Sequence, residues 1–193
     1  MIRCGDKGRT AIACGSLVKL KIIWQHQNVL QNQIWMSSKI RLMQSIVVST
    51  ALYGCESWTH NKESEWKIQA FEFKCLQRLL HVPYTAHQTN DSIWCEVTHI
   101  LGPQEQFLAT LKHHKMTWFG HINRSMGLAN CIMQGMVDGR QGRGRPKISW
   151  LDNITTWTGM FKEEVHMMSK DRKRWREISF VASRVMPLCS TSK

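Results

Sequence analysis

The sequence lacks the marks of a secreted or membrane-spanning protein. No apolar run approaches the ~18 residues of a membrane span, and the first residues contain no apolar signal core. The seven cysteines are odd in number and form no Cys-x-x-Cys pair, which favours neither a disulfide framework nor a zinc ribbon. An intracellular protein, nuclear or cytoplasmic, with reduced thiols is therefore expected.

Catalytic motifs are also missing. There is no phosphate-binding P-loop, no Gly-x-Ser-x-Gly and no Gly-x-Gly-x-x-Gly that opens a helix after a strand. The acids are scattered, and Glu163 and Glu164, as neighbours on a helix, point in different directions. Catalysis by this chain alone is not expected, and no cofactor is implied.

A metal site has weak support. Cys95 and His99 would share one face of a helix, and Cys131 with His113 or His121 would have to complete the set. A tetrahedral zinc site needs four ligands at compact spacing, which these positions do not offer. No metal is therefore expected.

Acidic residues are scarce, with 14 against 26 lysines and arginines, and the formal net charge is +12. The charge is unevenly distributed: residues 1–50 carry seven cations and one acid (+6), residues 51–110 four and seven (−3), and residues 111–193 fifteen and six (+9). Two basic arms around a near-neutral middle favour a polyanionic partner over uniform solubilisation.

The apolar spacing predicts an all-α fold with a helical bundle over residues 1–84 and a smaller helical region over 85–187. A basic loop at 139–147 interrupts the second region, and 188–193 is expected to be a disordered tail. Two short helices are predicted within 16–35. A helix from Ser37 or Ser38 to Gly54 follows, with an apolar face formed by residues at three- and four-residue steps: Ile40, Met43, Val47, Ala51 and Leu52. The β-branched run 46–50 within it leaves a strand as the alternative.

The strongest predicted helix follows Asn61 and ends before Pro83. Its apolar side is predicted to pack in the core and consists of a stripe of five residues with Phe71, Cys75 and Leu79 beside it: Trp66, Ala70, Phe73, Leu76 and Leu80.

Two further helices are predicted before the basic loop. One is capped by Asn90 or Asp91 and ended by Gly102, and the next starts at Pro103 and runs to about Trp118. The apolar face of the latter is predicted to contain Phe107, Leu108, Leu111, either His114 or Lys115, and Trp118, and its basic flank Lys112, His113 and Lys115.

The basic loop holds four cations and three glycines in nine residues and no acid. Its cations, which are candidate phosphate contacts, are Arg140, Arg143, Arg145 and Lys147. A flexible linker, solvated by its charges, is the alternative. Trp150 and Trp175 lie near arginines and could stack on bases or belong to the helix core. His121 is either a buried histidine or a phosphate contact.

Six blocks of sequence resemble one family, and their order and spacing span nearly the whole chain. They are Tyr-Gly-Cys-Glu-Ser-Trp (53–58), Ala-Phe-Glu (70–72) with Arg-Leu-Leu (78–80), Asn90, Trp-Phe-Gly-His-Ile-x-Arg (118–124), Arg-Gly-Arg-Pro-Lys-x-x-Trp-x-Asp (143–152) and Asp-Arg-x-x-Trp-Arg (171–176). The chain resembles the endonuclease-reverse transcriptase of non-LTR retrotransposons of the RTE/BovB-like LINE clade.

The resemblance implies a thumb-like bundle and a C-terminal region that follow the polymerase palm. The paired aspartates of the palm have no counterpart here, so the polymerase chemistry of that family transfers to no residue of this chain. The implied partners are template RNA, primer or target DNA, and the missing palm domain. The nucleic-acid contacts predicted besides the basic loop are Lys112, Lys115, His121, Arg124, Arg172 and Arg176. The alternative is a structural or interaction remnant of a retroelement whose basic arms are incidental.

Overall fold

The computed structural model describes residues 36–134 and 149–184. These residues contain helices and no strand, which confirms the all-α prediction. The elements are α1 (Met36–Met43), a π-helical segment (Gln44–Val48), α2 (Ser49–Leu52), α3 (Lys62–Leu79), α4 (Asn90–Leu101), α5 (Phe107–Arg124), α6 (Leu128–Gln134), α7 (Trp150–Thr158), α8 (Lys162–Lys170) and α9 (Arg172–Arg184), with short 3₁₀ turns at Cys55–Ser57 and Tyr84–Ala86. The helices predicted within 16–35, the basic loop and the 188–193 tail lie outside the described residues.

The chain divides into two compact units. The first comprises residues up to Cys55 together with Lys62–Phe107, and the second comprises Glu56–Asn61 together with the chain from Leu108 onwards. This division does not coincide with the domain boundary after residue 84, which stays a prediction. In the described part of the chain, no helix is both long enough and apolar enough to cross a bilayer.

In the first unit, α1 and α2 form one continuous helical stretch through the π-helical segment. Its buried side chains are the five predicted from the spacing: Ile40, Met43, Val47, Ala51 and Leu52. The strand alternative for 46–50 is wrong. Within this run the Thr50 hydroxyl donates a 2.6 Å hydrogen bond to the Ile46 carbonyl, the i−4 contact that a threonine side chain forms inside a helix.

The prediction for the core side of α3 is confirmed in part, because Phe71, Cys75, Leu76 and Leu79 are buried. Trp66 is 70% exposed and Ala70 is also exposed, while the buried face contains Ile68, Phe71, Cys75, Leu76 and Leu79. The helix has apolar residues on two adjacent faces, and α1 and α4, which pack against it, select one of them. The prediction that Cys75 is buried is confirmed.

Two helix starts differ from the prediction by a few residues. Thr89 caps α4, because its hydroxyl oxygen accepts a 3.3 Å hydrogen bond from the Ser92 amide. Gly102 ends α4 with a φ of 82°, as predicted. Helix α5 begins at Phe107, where the Glu72 carboxylate of α3 accepts the Phe107 amide at 3.0 and 3.1 Å. The start of α5 is therefore set by a cap from a distant residue, Glu72, and not by Pro103.

The core of the second unit forms where α5, α7, α8 and α9 meet. Its buried members are Met116, Phe119, Ile154, Val165, Trp175 and Ala182. The Trp175 indole lies against the backbone of α5, and its Nε1–H donates a 2.8 Å hydrogen bond to the Met116 carbonyl. Gly120 makes this approach possible, because a Cβ at that position would overlap the indole ring. Trp175, at 2% exposure, therefore belongs to the core and not to a stacking surface.

Replacing Gly120 with alanine is expected to destabilise the second unit by about 1–3 kcal/mol, because the added methyl group forces Trp175 away from α5. Urea denaturation followed by tryptophan fluorescence measures the change. Gly127→Ala is the matched control, since the nearest atom to its added Cβ is the Ser125 hydroxyl at 4.0 Å. Equal midpoints for the two variants would contradict the assigned role of Gly120.

Candidate nucleic-acid interface

Lys115 is fully buried in the second unit, although the sequence placed it on a basic flank. Its ammonium donates hydrogen bonds to the Trp58 carbonyl at 2.7 Å and to Asn153 Oδ1 at 2.8 Å. It also lies 4.5 Å from the centroid of the Trp150 ring and 5.4 Å from that of Trp157. Carbonyl dipoles and aromatic faces thus replace the water that a lysine normally holds.

Lys112 is also buried, at 3% exposure, with its ammonium 5.5 Å from the Trp157 ring centroid. The assignment of Lys112 and Lys115 as nucleic-acid contacts therefore conflicts with their burial, because a phosphate cannot approach either ammonium in this structure. The physical reason is helical period: Leu108, Leu111 and Lys115 follow one another on the inner face of α5.

Asn153 ties the 56–61 segment to α7. Its Oδ1 accepts the His60 amide at 3.0 Å, and its Nδ2 donates to the His60 carbonyl at 2.6 Å. One turn earlier, the Trp150 indole donates a 2.7 Å hydrogen bond to the Glu56 carbonyl. Trp150 is half-buried and its N–H is used internally, so the core alternative describes it better than a free stacking surface.

The His60 ring is an anomaly within this buried cluster. It is 1% exposed, lies between the Trp58 and Trp157 rings, and neither ring nitrogen has a hydrogen-bond partner among the described residues. Burial, with the nearby charges of Lys115 and Lys112, lowers the pKa of His60 to about 3. The ring is therefore neutral over the physiological pH range.

The end of α5 is fixed to the end of α8. Asn123 Nδ2 donates to the His166 carbonyl at 2.9 Å and also bonds the Ser169 hydroxyl. The Arg124 guanidinium donates a 2.7 Å hydrogen bond to the Ser169 carbonyl. Arg124 is nonetheless exposed, so it holds the α8–α9 corner while presenting positive charge at the surface.

Helix α9 presents cations outward from the buried Trp175. Asp171 precedes it and accepts the amides of Lys173 at 2.9 Å and Arg174 at 3.3 Å, which caps the helix. The side chains of Arg172, Lys173 and Arg176 are exposed and form no ion pair within the described part of the chain. With Arg174 and Arg184 against Glu177, α9 carries five cations and one acid, or +4.

The remaining residues predicted to bind nucleic acid, and those considered for zinc, differ in their exposure or lie outside the described residues. His121 lies exposed on α5, so the phosphate-contact alternative is open to it and the buried alternative is wrong. The basic-loop cations Arg140, Arg143, Arg145 and Lys147 lie outside the described residues. Of the residues weighed for zinc, Cys95 and His99 are exposed on α4, and Cys131 is exposed on α6.

Sequence reasoning missed Asn153 and His60 as members of a polar cluster. A signal exists for Asn153, because it is a poor helix former within the first turns of a helix. No local signal marks His60, whose partner lies 93 residues further along the chain.

The chain is distantly similar to a transposon-derived protein. It is 25% identical over 154 residues to an uncharacterised transposon-derived protein of Caenorhabditis elegans, and the match covers 71% of this chain. The chain spans about half of that relative, 52% of its length. No family model matches the chain, and no solved structure matches it significantly.

Replacing Lys115 with methionine is expected to lower the free energy of unfolding by about 2–4 kcal/mol, because the Trp58 carbonyl loses its buried donor. Lys67→Met is the matched control: Lys67 is an exposed lysine of α3 paired with Glu63, and its loss is expected to cost at most about 0.5 kcal/mol. Urea denaturation of both variants gives the comparison. A Lys115 variant as stable as the Lys67 variant would show that the buried ammonium is not structural.

Replacing His60 with phenylalanine is expected to remove one component of the pH dependence of stability. The folded-state pKa of about 3 lies below the ordinary 6.5, so the unfolded chain binds the proton preferentially and stability falls as pH drops through this window. From pH 7.5 to 5.0 the wild type should lose about 2 kcal/mol relative to the variant.

The comparison of the two proteins isolates this component. Glu72 contributes the opposite slope, because burial raises its pKa to about 7 from 4.5, and its contribution is present below 4.5 and lost as pH rises through 7. It is present in both proteins and cancels in their difference. Parallel stability profiles between pH 7.5 and 5.0 would refute the buried neutral state of His60.

Proposed function

We propose that this chain is a nucleic-acid-binding portion of a LINE-type reverse transcriptase of the RTE/BovB-like clade. It contacts the phosphate backbone of RNA or DNA without reading sequence, and it has no polymerase activity of its own. The palm domain of the parent enzyme is its protein partner. The similarity to a transposon-derived protein is consistent with the retroelement origin on which this proposal rests.

The observation that carries the proposal is the outward face of α9. Arg172, Lys173 and Arg176 follow one another at helical spacing, so Arg172 and Arg176 lie roughly 6 Å apart along the axis. Exposed guanidinium groups in this arrangement suit phosphate oxygens, to which they donate bidentate hydrogen bonds.

The way in which α9 is held against α5 also favours nucleic-acid binding. The buried Trp175 and its hydrogen bond to Met116 hold the helix against α5, so the cations project from a fixed surface. A rigid array loses less conformational entropy on binding than the same charges on a loose tail.

A second candidate is a structural remnant whose apolar faces once covered a palm domain. The observation that favours it is the exposure of Trp66 at 70% and Tyr53 at 68%, both in the first unit. Exposed aromatic side chains indicate an interaction site where they belong to one contiguous apolar patch, so this candidate requires such a patch on the first unit. Binding of a hydrophobic dye without salt-dependent affinity for nucleic acid would select this candidate.

Replacing Arg172, Lys173 and Arg176 together with alanine is expected to reduce the slope of log K against log salt on duplex DNA by about 2 to 3, because each lost phosphate contact releases one counterion fewer. Fluorescence anisotropy between 50 and 200 mM salt, a range over which such affinities fall strongly, measures the slope.

Lys67, Lys74 and Arg78, replaced together with alanine, form the matched control. They are exposed cations of α3, and their removal changes the net charge equally. An equal loss of slope in both triple variants would show general electrostatics and contradict a specific α9 footprint.

In the basic loop, replacing Arg140, Arg143, Arg145 and Lys147 with alanine should reduce the slope by about 3 to 4, and an unchanged slope would remove the loop from the interface.

A further inference from the structure

One exposed aromatic ring of the second unit lies among cations and histidines. We infer that Trp118 is a stacking platform for an unpaired base of a single-stranded nucleic acid, with His121 and Arg124 beside it to contact the phosphates. The inference rests on the proposed function and deepens it, because it names the form of nucleic acid that α5 takes.

The outward face of α5 is continuous. Thr117, Trp118, His121 and Arg124 are exposed, and at 100° per residue they occupy a sector of roughly 120°. The inner face of the same helix holds the buried residues Met116, Phe119 and Ile122. A single surface thus carries an aromatic ring, an imidazole and a guanidinium within two turns.

The charge of this face suits an anion. Helix α5 contains no aspartate or glutamate between Phe107 and Arg124. One guanidinium N–H of Arg124 is used on the Ser169 carbonyl, and a guanidinium has five donors, so the anchored side chain retains others for a phosphate. The contact to Ser169 also fixes where those donors lie.

Trp118 is held in place from behind. It is 36% exposed and meets the Trp150 ring edge-on, with the ring centroids 5.3 Å apart. The Trp150 indole is itself fixed by its 2.7 Å hydrogen bond to the Glu56 carbonyl. A ring supported in this way is already ordered before the ligand arrives, which lowers the entropic cost of stacking.

The other aromatic side chains of the second unit suit the role less well. Trp175 is 2% exposed, and the face of Phe180 is covered by the Arg184 guanidinium, 3.7 Å from its centroid. Phe161 is 77% exposed but lies beside Glu163 and Glu164, whose charges repel a phosphate.

The form of the ligand follows from what a tryptophan face recognises. A base inside a duplex has both faces covered by its neighbours, whereas an unpaired base can lie flat on an aromatic ring. Every base has such a face, so the contact tolerates any sequence, as does the phosphate binding proposed for α9. The inferred ligand is therefore a single strand of any sequence.

The test compares Trp118→Ala with Trp118→Phe and with Trp66→Ala, in which the exposed tryptophan of α3 is the matched control. The probes are an oligothymidine single strand, the same phosphate chain with abasic sites, and a duplex of equal length, all at one salt concentration. Trp118→Ala should bind the oligothymidine about 10- to 100-fold more weakly, with an unchanged salt slope, and should bind the abasic chain and the duplex within about 2-fold of wild type. Trp118→Phe should retain most of the affinity, and Trp66→Ala all of it.

The outcomes separate this inference from the function on which it rests. If the wild type binds all three probes with a salt slope and Trp118→Ala binds oligothymidine equally well, the stacking platform is refuted and the proposed function stands. If Trp118→Ala weakens all three probes alike, or Trp118→Phe fails to recover binding, the ring is structural and the inference is again refuted. If the wild type binds no probe, the proposed function itself fails.

Discussion

The buried ammonium of Lys115 is the constraint on which the second unit depends. A cation without water must be surrounded by acceptors, and here these come from separate parts of the chain: the Trp58 carbonyl, Asn153 Oδ1 and the faces of Trp150 and Trp157. Because Asn153 also binds both backbone groups of His60, satisfying one charge fixes the 56–61 segment, α5 and α7 against one another. The geometry tolerates little change, since any displacement leaves a buried polar group without a partner.

Most of the sequence blocks that resemble reverse transcriptases serve this internal structure. In 118–124, Gly120 admits the Trp175 indole, and Arg124 bonds the end of α8. In 171–176, Asp171 caps α9 and Trp175 enters the core, while Asp152 accepts the Ser149 amide at 2.8 Å to cap α7. These blocks therefore indicate first a shared helical structure, because many of their residues cap helices or pack in the core. The binding proposals rest on the exposed residues within and next to the blocks.

The sequence predicted a structural feature correctly where that feature depends on residues nearby in the chain, and less well where it depends on distant ones. Helical spacing identified the buried side of α1 and α2, and Gly102 marked the end of α4, because each depends on neighbours within a few residues. For α3 the predicted apolar side was broader than the buried one, because its two adjacent apolar faces are equivalent in the sequence until α1 and α4 pack against one of them. For Lys115 the helical spacing allowed both the apolar face and the basic flank, and the amide acceptor that favours burial lies 38 residues away.

The burial of Lys112 and Lys115 also changes what the net charge of +12 means. A cation contributes to the salt dependence of nucleic-acid binding only when a phosphate reaches it and displaces a counterion. Lys112 and Lys115, at 3% and 0% exposure, add to the formal charge and to the long-range field, but they offer no such contact. Formal charge therefore sets an upper limit on any binding footprint, because a phosphate has access to the exposed arginines of α9 and of the end of α5 but not to the buried lysines of the core.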